Sequence, residues 1–244
     1  MHGLSRNSQQ QARLFSGYCE SFGAVLAAPL FSAERHGDYQ RLGRNRADLA
    51  LDPILEEAAS LTGACAAQIH LFGYSGGAQF AHRYVMAHPH RVARAVVAAA
   101  GWYTFPDARR RFPHGIRPSR RFPDLRLDPE EFLRVPMTVL VGEQDQTGAS
   151  LRRSERIDQQ QGMTRVERAR NWVAAMREAA AARALEPRVS LEVVAETGHS
   201  FRRFMERGKL GDRVFEALFG PGKPRAGDGA GPPASADEDH EESR

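Results

Sequence analysis

The sequence predicts an α/β domain with a mostly parallel sheet covered by helices on both faces. Three observations predict it. Short apolar runs of four to eight residues alternate with longer segments of helical periodicity. The runs read as fully buried strands, since they lack the strict apolar-polar alternation of a half-exposed sheet. The 244-residue chain is 41% hydrophobic and 26% charged, an ordinary profile for a chain able to bury a sizeable core.

Taken in order, residues 23–31 ("GAVLAAPLF") form the first apolar run and read as a buried strand. Residues 46–63 carry Leu49, Leu51, Ile54, Leu55 and Ala58 at helical spacing. Pro53 places the start of the longer helix near Asp52, because proline is tolerated in a first turn, and Gly63 supplies the stop. Residues 67–74 are the next strand. Residues 76–89 form a helix that ends before Pro89. Strands follow at 94–102 and 137–145. Residues 163–186 are a long helix rich in strong helix formers. Residues 188–199 form the last strand, and 212–220 a short amphipathic helix. From residue 221 the composition turns to Pro, Gly, Ala and charge, so 221–244 reads as a disordered tail.

The formal charge is +4, and Lys209 and Lys223 are the lysines, so nearly all the positive charge is arginine. Acids are interspersed with it, which favours a compositional preference for arginine over a dedicated basic partner surface. Cys19 and Cys65 have no metal-ligand spacing and read as small buried hydrophobes. The longest apolar stretch, near residues 95–103, is shorter than a bilayer span, and the visible chain reads as cytoplasmic. His88-Pro89-His90 reads as a helix end; no third ligand completes a metal set.

The stretch "LFGYSGGAQF" (71–80) carries the chemistry. Gly73-Tyr74-Ser75-Gly76-Gly77 fits G-x-S-x-G between a strand and a helix. A serine at such a sharp turn adopts a strained backbone, and residues two before and two after it approach closely, which requires glycine. The turn exposes the hydroxyl and leaves the Gly76 N–H at a helix start, where anionic charge is favoured. The serine needs a base, and His199 follows the last strand at the sheet edge where ligands of open α/β folds gather. Asp145 ends the strand before it and is favoured over Glu143 as the carboxylate that orients the imidazole. The chain order is then Ser75, Asp145, His199.

From His2 to about Gly220 these features together resemble the α/β-hydrolase superfamily, most closely esterases of the polyhydroxybutyrate-depolymerase-like and dienelactone-hydrolase-like kind. The matching pieces are "HG" at His2-Gly3, "GYSGG", "VGEQD" and "GHSF". The resemblance implies a serine hydrolase, a carboxylesterase, acting through an acyl-enzyme without a cofactor. It implies an oxyanion hole from the N–H groups of Leu4 and Gly76, with Tyr74, Trp102 and Tyr103 as substrate-lining candidates. The implied partner is a small-molecule ester, with neither nucleic acid nor membrane; oligomeric state is open. In the family three strands precede "HG", whereas here Met1 does, so Met1 is expected to be an internal methionine and the N-terminal strands to be missing. A non-catalytic ligand-binding protein of the same fold is the alternative.

Residues 103–136 fall where the family inserts a lid. Arg109, Arg110, Arg111, Arg117, Arg120 and Arg121 cluster there, with Phe105, Phe112 and Phe122 among them. Three readings stay open: a lid recognising an acyl ester with an anionic group, a nucleic-acid surface, and a solvated basic loop.

Overall fold

The computed structural model describes residues 1–146 and 151–221. The call of a disordered tail over 221–244 therefore falls almost wholly outside the described residues. Four parallel strands form one sheet in the order β1 (Ile69–Tyr74), β2 (Val92–Ala98), β3 (Met137–Gly142), β4 (Val189–Val194). This is the α/β-hydrolase fold without the strands that precede β1 in that fold.

Alternate residues of each strand serve opposite faces. Leu71, Val97, Val139 and Val141 point to one side and pack with α3 (Ala47–Thr62), α4 (Gly76–Ala87) and α7 (Arg165–Ala181). Tyr74, Val96, Ala98 and Leu140 point to the other and pack with α1 (Ser8–Ser21), α8 (Phe201–Glu206) and α9 (Leu210–Phe219). Short helices α2 (Ala33–His36), α5 (Pro129–Phe132) and α6 (Glu155–Gln161) complete the set. Helix α7 starts on a capping box, Thr164 with Glu167, which satisfies two helix-start N–H groups reciprocally.

Several expectations need correction. Residues 23–31 form no strand. Only Met1 lies along the outer edge of β1 among the described contacts: its nitrogen donates to Phe72 O at 2.5 Å and its carbonyl accepts from Tyr74 N–H at 3.2 Å. The segment runs extended with Val25 and Leu30 more than half or about half exposed, and Phe31 N–H bonds to the His2 ring instead. Helix α3 begins at Ala47, five residues before the expected start, so Pro53 lies inside it. The early turn is held by buried Asp48, which pairs with Arg46 (2.7 Å) and His88 (2.9 Å). That contact also occupies His88 of the His-Pro-His stretch. Cys19 is buried as expected, but Cys65 is exposed, in the loop between α3 and β1.

Helix α1 was not foreseen. Its polar composition hides a stripe of Gln11, Phe15 and Cys19 at four-residue spacing, and Phe15 meets Phe72 of β1 at 5.0 Å and Phe215 of α9 at 6.0 Å. In residues 103–136, Phe105, Phe112 and Phe122 are buried in the α4–α7 core, while Arg109, Arg111, Arg117, Arg120 and Arg121 are exposed and Arg110 is half-buried. Among the described residues no helix is long and apolar enough to cross a membrane.

His82 on α4 is wholly buried; its Nδ1 bonds to Ala78 O at 2.9 Å and its Nε2 accepts from Thr104 N–H at 3.0 Å. Burial, then the neighbouring Arg83, holds its pKa well below the ordinary histidine value. The unfolded chain therefore binds a proton at this site that the folded one does not, once pH falls below about 6.5. Stability contributed by neutral His82 is complete above that pH and is lost as pH drops. Urea unfolding between neutral pH and about pH 5 should show a falling midpoint, and His82→Gln should flatten that slope by about 1.4 kcal/mol per pH unit.

Candidate active site

The turn between β1 and α4 is built on close backbone approach. Ser75 has φ 53° and ψ −110°, a left-handed conformation that costs a non-glycine residue energy. Its N–H is held by Ala98 O of β2 at 2.8 Å. A Cβ on Gly73 would stand 2.2 Å from Gly77 O, and one on Gly77 would stand 2.1 Å from Met1 O. Both contacts are with backbone, which has little room to give.

The hydroxyl that this turn presents meets His199. Ser75 Oγ and His199 Nε2 are 3.0 Å apart, and His199 Nδ1 is 2.7 Å from Asp145 Oδ2. If Nδ1 carries the proton for Asp145, Nε2 is left as an acceptor for the serine hydroxyl. The three side chains come from the ends of β1, β3 and β4, at the C-terminal edge of the sheet. Asp145 is buried, and Glu143, its rival in the sequence, is exposed.

Two tertiary contacts set this geometry. Tyr74 Oη donates to His199 O at 2.6 Å, and its ring stacks near the imidazole at 5.7 Å, so the loop after β4 is tied to the residue before the serine. Thr197 in that loop crosses the end of β3 closely: Gln144 N–H donates to Thr197 O at 2.8 Å, and a Cβ on Gly142 would stand 2.3 Å from the same oxygen.

Sequence reasoning missed Arg165. It lies at the first position of α7, is buried, and its Nη1 donates to Asp145 Oδ1 at 2.9 Å. Asp145 thus shares its two oxygens between a guanidinium and an imidazole. A buried arginine twenty residues away carries no local signal; only the packing of α7 over the end of β3 brings it there.

The His2-Gly3 dipeptide lies against the same turn. His2 Nδ1 bonds to Gly3 O at 2.8 Å, so its Nε2 is the acceptor for Phe31 N–H at 3.0 Å. Burial, as the larger influence, keeps His2 below the ordinary histidine pKa, consistent with a neutral ring in this role. Tyr39, also unforeseen, is wholly buried and donates to His2 O at 2.5 Å. Arg6 donates to Leu4 O (3.1 Å) and Phe31 O (3.0 Å). The side chain of Leu4 packs over Gly76: a Cβ there would stand 3.0 Å from Leu4 Cγ and Cδ2. Gly76 is the first residue of α4, and N–H groups of a first helical turn have no acceptor within the helix.

The remaining sequence candidates are interior groups. The Tyr74 hydroxyl is engaged by His199 O. Trp102 is 3% exposed and lies beneath the Arg83 guanidinium at 4.2 Å. Tyr103 is fully buried and stacks on Trp172 at 4.8 Å. Among the described residues no group of histidine, cysteine and carboxylate side chains forms a metal cluster.

No protein-family model and no curated protein sequence matches the chain. Solved structures do. Poly(aspartic acid) hydrolase-1 from Sphingomonas is 24% identical with a TM-score of 0.74, over 86% of this chain and 84% of that one. A poly(3-hydroxybutyrate) depolymerase from Bordetella parapertussis is 27% identical with a TM-score of 0.69, over 87% and 80%. A monoacylglycerol lipase from Paleococcus ferrophilus is 15% identical with a TM-score of 0.51, over 89% and 93%. The chain resembles α/β-hydrolases of the esterase and depolymerase kind.

Gly73→Ala should break the turn, since the added carbon meets the Gly77 carbonyl and the Ala78 nitrogen, both backbone. The expected fall in melting temperature is about 5–10 °C, measured by thermal unfolding against wild type.

Proposed function

We propose that this protein is a serine hydrolase that cleaves carboxylic esters through an acyl-enzyme. The observation that supports the reading best is the unbroken hydrogen-bonded line Asp145–His199–Ser75, ending on a strained strand-to-helix turn. The resemblance to a depolymerase of poly(3-hydroxybutyrate), a polyester, agrees with it.

In this reading Ser75 Oγ attacks the ester carbonyl while His199 Nε2 takes its proton. The carbonyl π bond opens to an oxyanion, received by the N–H groups of Gly76 and Leu4. The imidazolium is stabilised by buried Asp145. Collapse of the tetrahedral species breaks the bond to the alcohol oxygen, and Nε2 returns the proton to that leaving group. Water then attacks the acyl-enzyme, gives a proton to Nε2, and the serine oxygen leaves with that proton as the carboxylic acid departs. Arg165 acts through Asp145 as a positioning residue: it fixes one carboxylate oxygen and leaves the other for His199.

A fluorophosphonate probe should label the wild type at Ser75 and leave Ser75→Ala unlabelled; labelling that persists in the variant sinks the assignment. Asp145→Asn should lower kcat on p-nitrophenyl esters by roughly 10⁴-fold, because the amide stabilises the wrong imidazole tautomer. Arg165→Met should lower kcat on p-nitrophenyl esters about tenfold with KM little changed, because Asp145 is no longer held toward His199. Arg165→Lys should recover part of that loss, and an unchanged kcat in Arg165→Met sinks the positioning role.

A further inference from the structure

Arg83 on α4 is wholly buried, yet no carboxylate neutralises it among the described residues. Its Nε donates to Thr104 Oγ1 at 2.9 Å, and its Nη1 to the carbonyls of Gln40 (2.6 Å) and Gln79 (2.9 Å). The Trp102 ring lies 4.2 Å from the guanidinium carbon. Nη2 has no hydrogen-bond partner among the described residues. The charged group acting on Arg83 is Arg41, another cation. A guanidinium does not escape this position by losing its proton. An uncompensated buried charge is among the costliest features a fold can carry.

The surroundings have unmet polar capacity of their own. Gln40 Oε1, Gln79 Oε1, Arg41 Nε and His114 Nδ1 are buried without partners among the described residues. His114 stands 5.2 Å from Trp102, ring to ring. Its pKa is pushed down to about 4, by burial first and then by Arg156, Arg83, Arg152 and Arg110. Every charge acting on that ring is positive. Gln40, Arg41 and His114 are half-buried and Arg152 and Arg156 exposed, so positive potential runs from solvent inward to Arg83.

Arg83 also has a fixed relation to the serine. Ser75, the N-cap of α4, is followed by Gln79 and Arg83 at four-residue spacing, which puts the Cα atoms of Ser75 and Arg83 about 12 Å apart along the helix. We propose that Arg83 forms the floor of a carboxylate subsite, and that the preferred substrates are esters carrying a carboxylate several bonds from the scissile carbonyl. One unpartnered guanidinium nitrogen and a single buried positive charge suit a monoanion. This rests on the serine-hydrolase reading for the ester, but the carboxylate site itself does not.

The test compares p-nitrophenyl hydrogen suberate with its methyl ester, which has the same length and no charge. Wild type should favour the acid at least tenfold in kcat/KM, and Arg83→Met should bring that ratio near one. Equal rates in wild type, or a preference that survives in Arg83→Met, overturn the proposal. Binding is measured separately: millimolar suberate should raise the wild-type melting temperature by about 3 °C, while dimethyl suberate should not. Inorganic phosphate giving the same rise as suberate overturns the carboxylate assignment. Should Arg83→Met fail to fold, the wild-type ratio and melting shifts still decide. If suberate stabilises wild type but neither ester is cleaved, the hydrolase reading fails and the carboxylate site stands. If both esters are cleaved alike and suberate has no effect, the site fails and the hydrolase reading stands.

Discussion

The close passage of backbone over backbone at the start of α4 is the constraint on which the rest of the site depends. Gly73, Gly77 and Met1 approach so tightly that no Cβ fits between them, and Ser75 is bent into a left-handed conformation as a result. Hydrogen bonding to Ala98 from the neighbouring strand holds that bend. A regular turn would relieve the strain and also draw the hydroxyl back over the sheet. The strain is tolerable because the two flanking elements are among the most buried in the molecule: almost every residue of α4 is inaccessible to solvent.

Around this turn the protein puts arginine where most folds put apolar side chains. Arg83, Arg165 and Arg168 are all buried. Arg83 and Arg168 each spread their donors over several acceptors: Arg168, for example, bonds to Gly162 O, Gly101 O and Asp158. A planar fork can do this where a lysine ammonium cannot, which gives the arginine-rich composition a structural use. Arg168 ties α6 and α7 to the strand-end loop after β2, and Arg165 ties α7 to Asp145. The helix layer and the proposed chemistry are therefore joined by the same kind of contact. Arg83 differs from the other two in having no acid to answer it among the described residues.

The long segment after β2 contributes to the core as well as to the surface. Its phenylalanines are buried against α4 and α7, its arginines are mostly exposed, and Arg110 acts on His114. Thr104 shows the coupling well. It receives Arg83 on its hydroxyl, gives its N–H to His82, and accepts the Trp172 indole on its carbonyl. Alternating Phe and Arg in the sequence fits this two-sided packing, although composition alone left a lid, a nucleic-acid surface and a solvated loop all open.

Much of the fold was legible because its signals are local. Apolar runs bounded by glycine and proline mark the four strands, and G-x-S-x-G marks the turn, since only glycine satisfies its close approach. The positions of His199 and Asp145 at strand ends also follow from the sequence, because parallel strands place such ends on one edge. What required the tertiary structure is whatever depends on distant partners. Residues 23–31 have the composition of a strand but pair with no neighbouring strand, and strand formation needs a neighbour's hydrogen bonds. Helix α1 is too polar to announce itself and forms because Phe15 and Cys19 find the sheet. Pro53 is accommodated inside α3 because Asp48 anchors the turn before it. The ion pair of Arg165 with Asp145, the hold of Tyr39 and Phe31 on His2, and the unanswered charge of Arg83 are set by packing alone, since burial and pairing are properties of the assembled chain and not of any residue's neighbours in sequence.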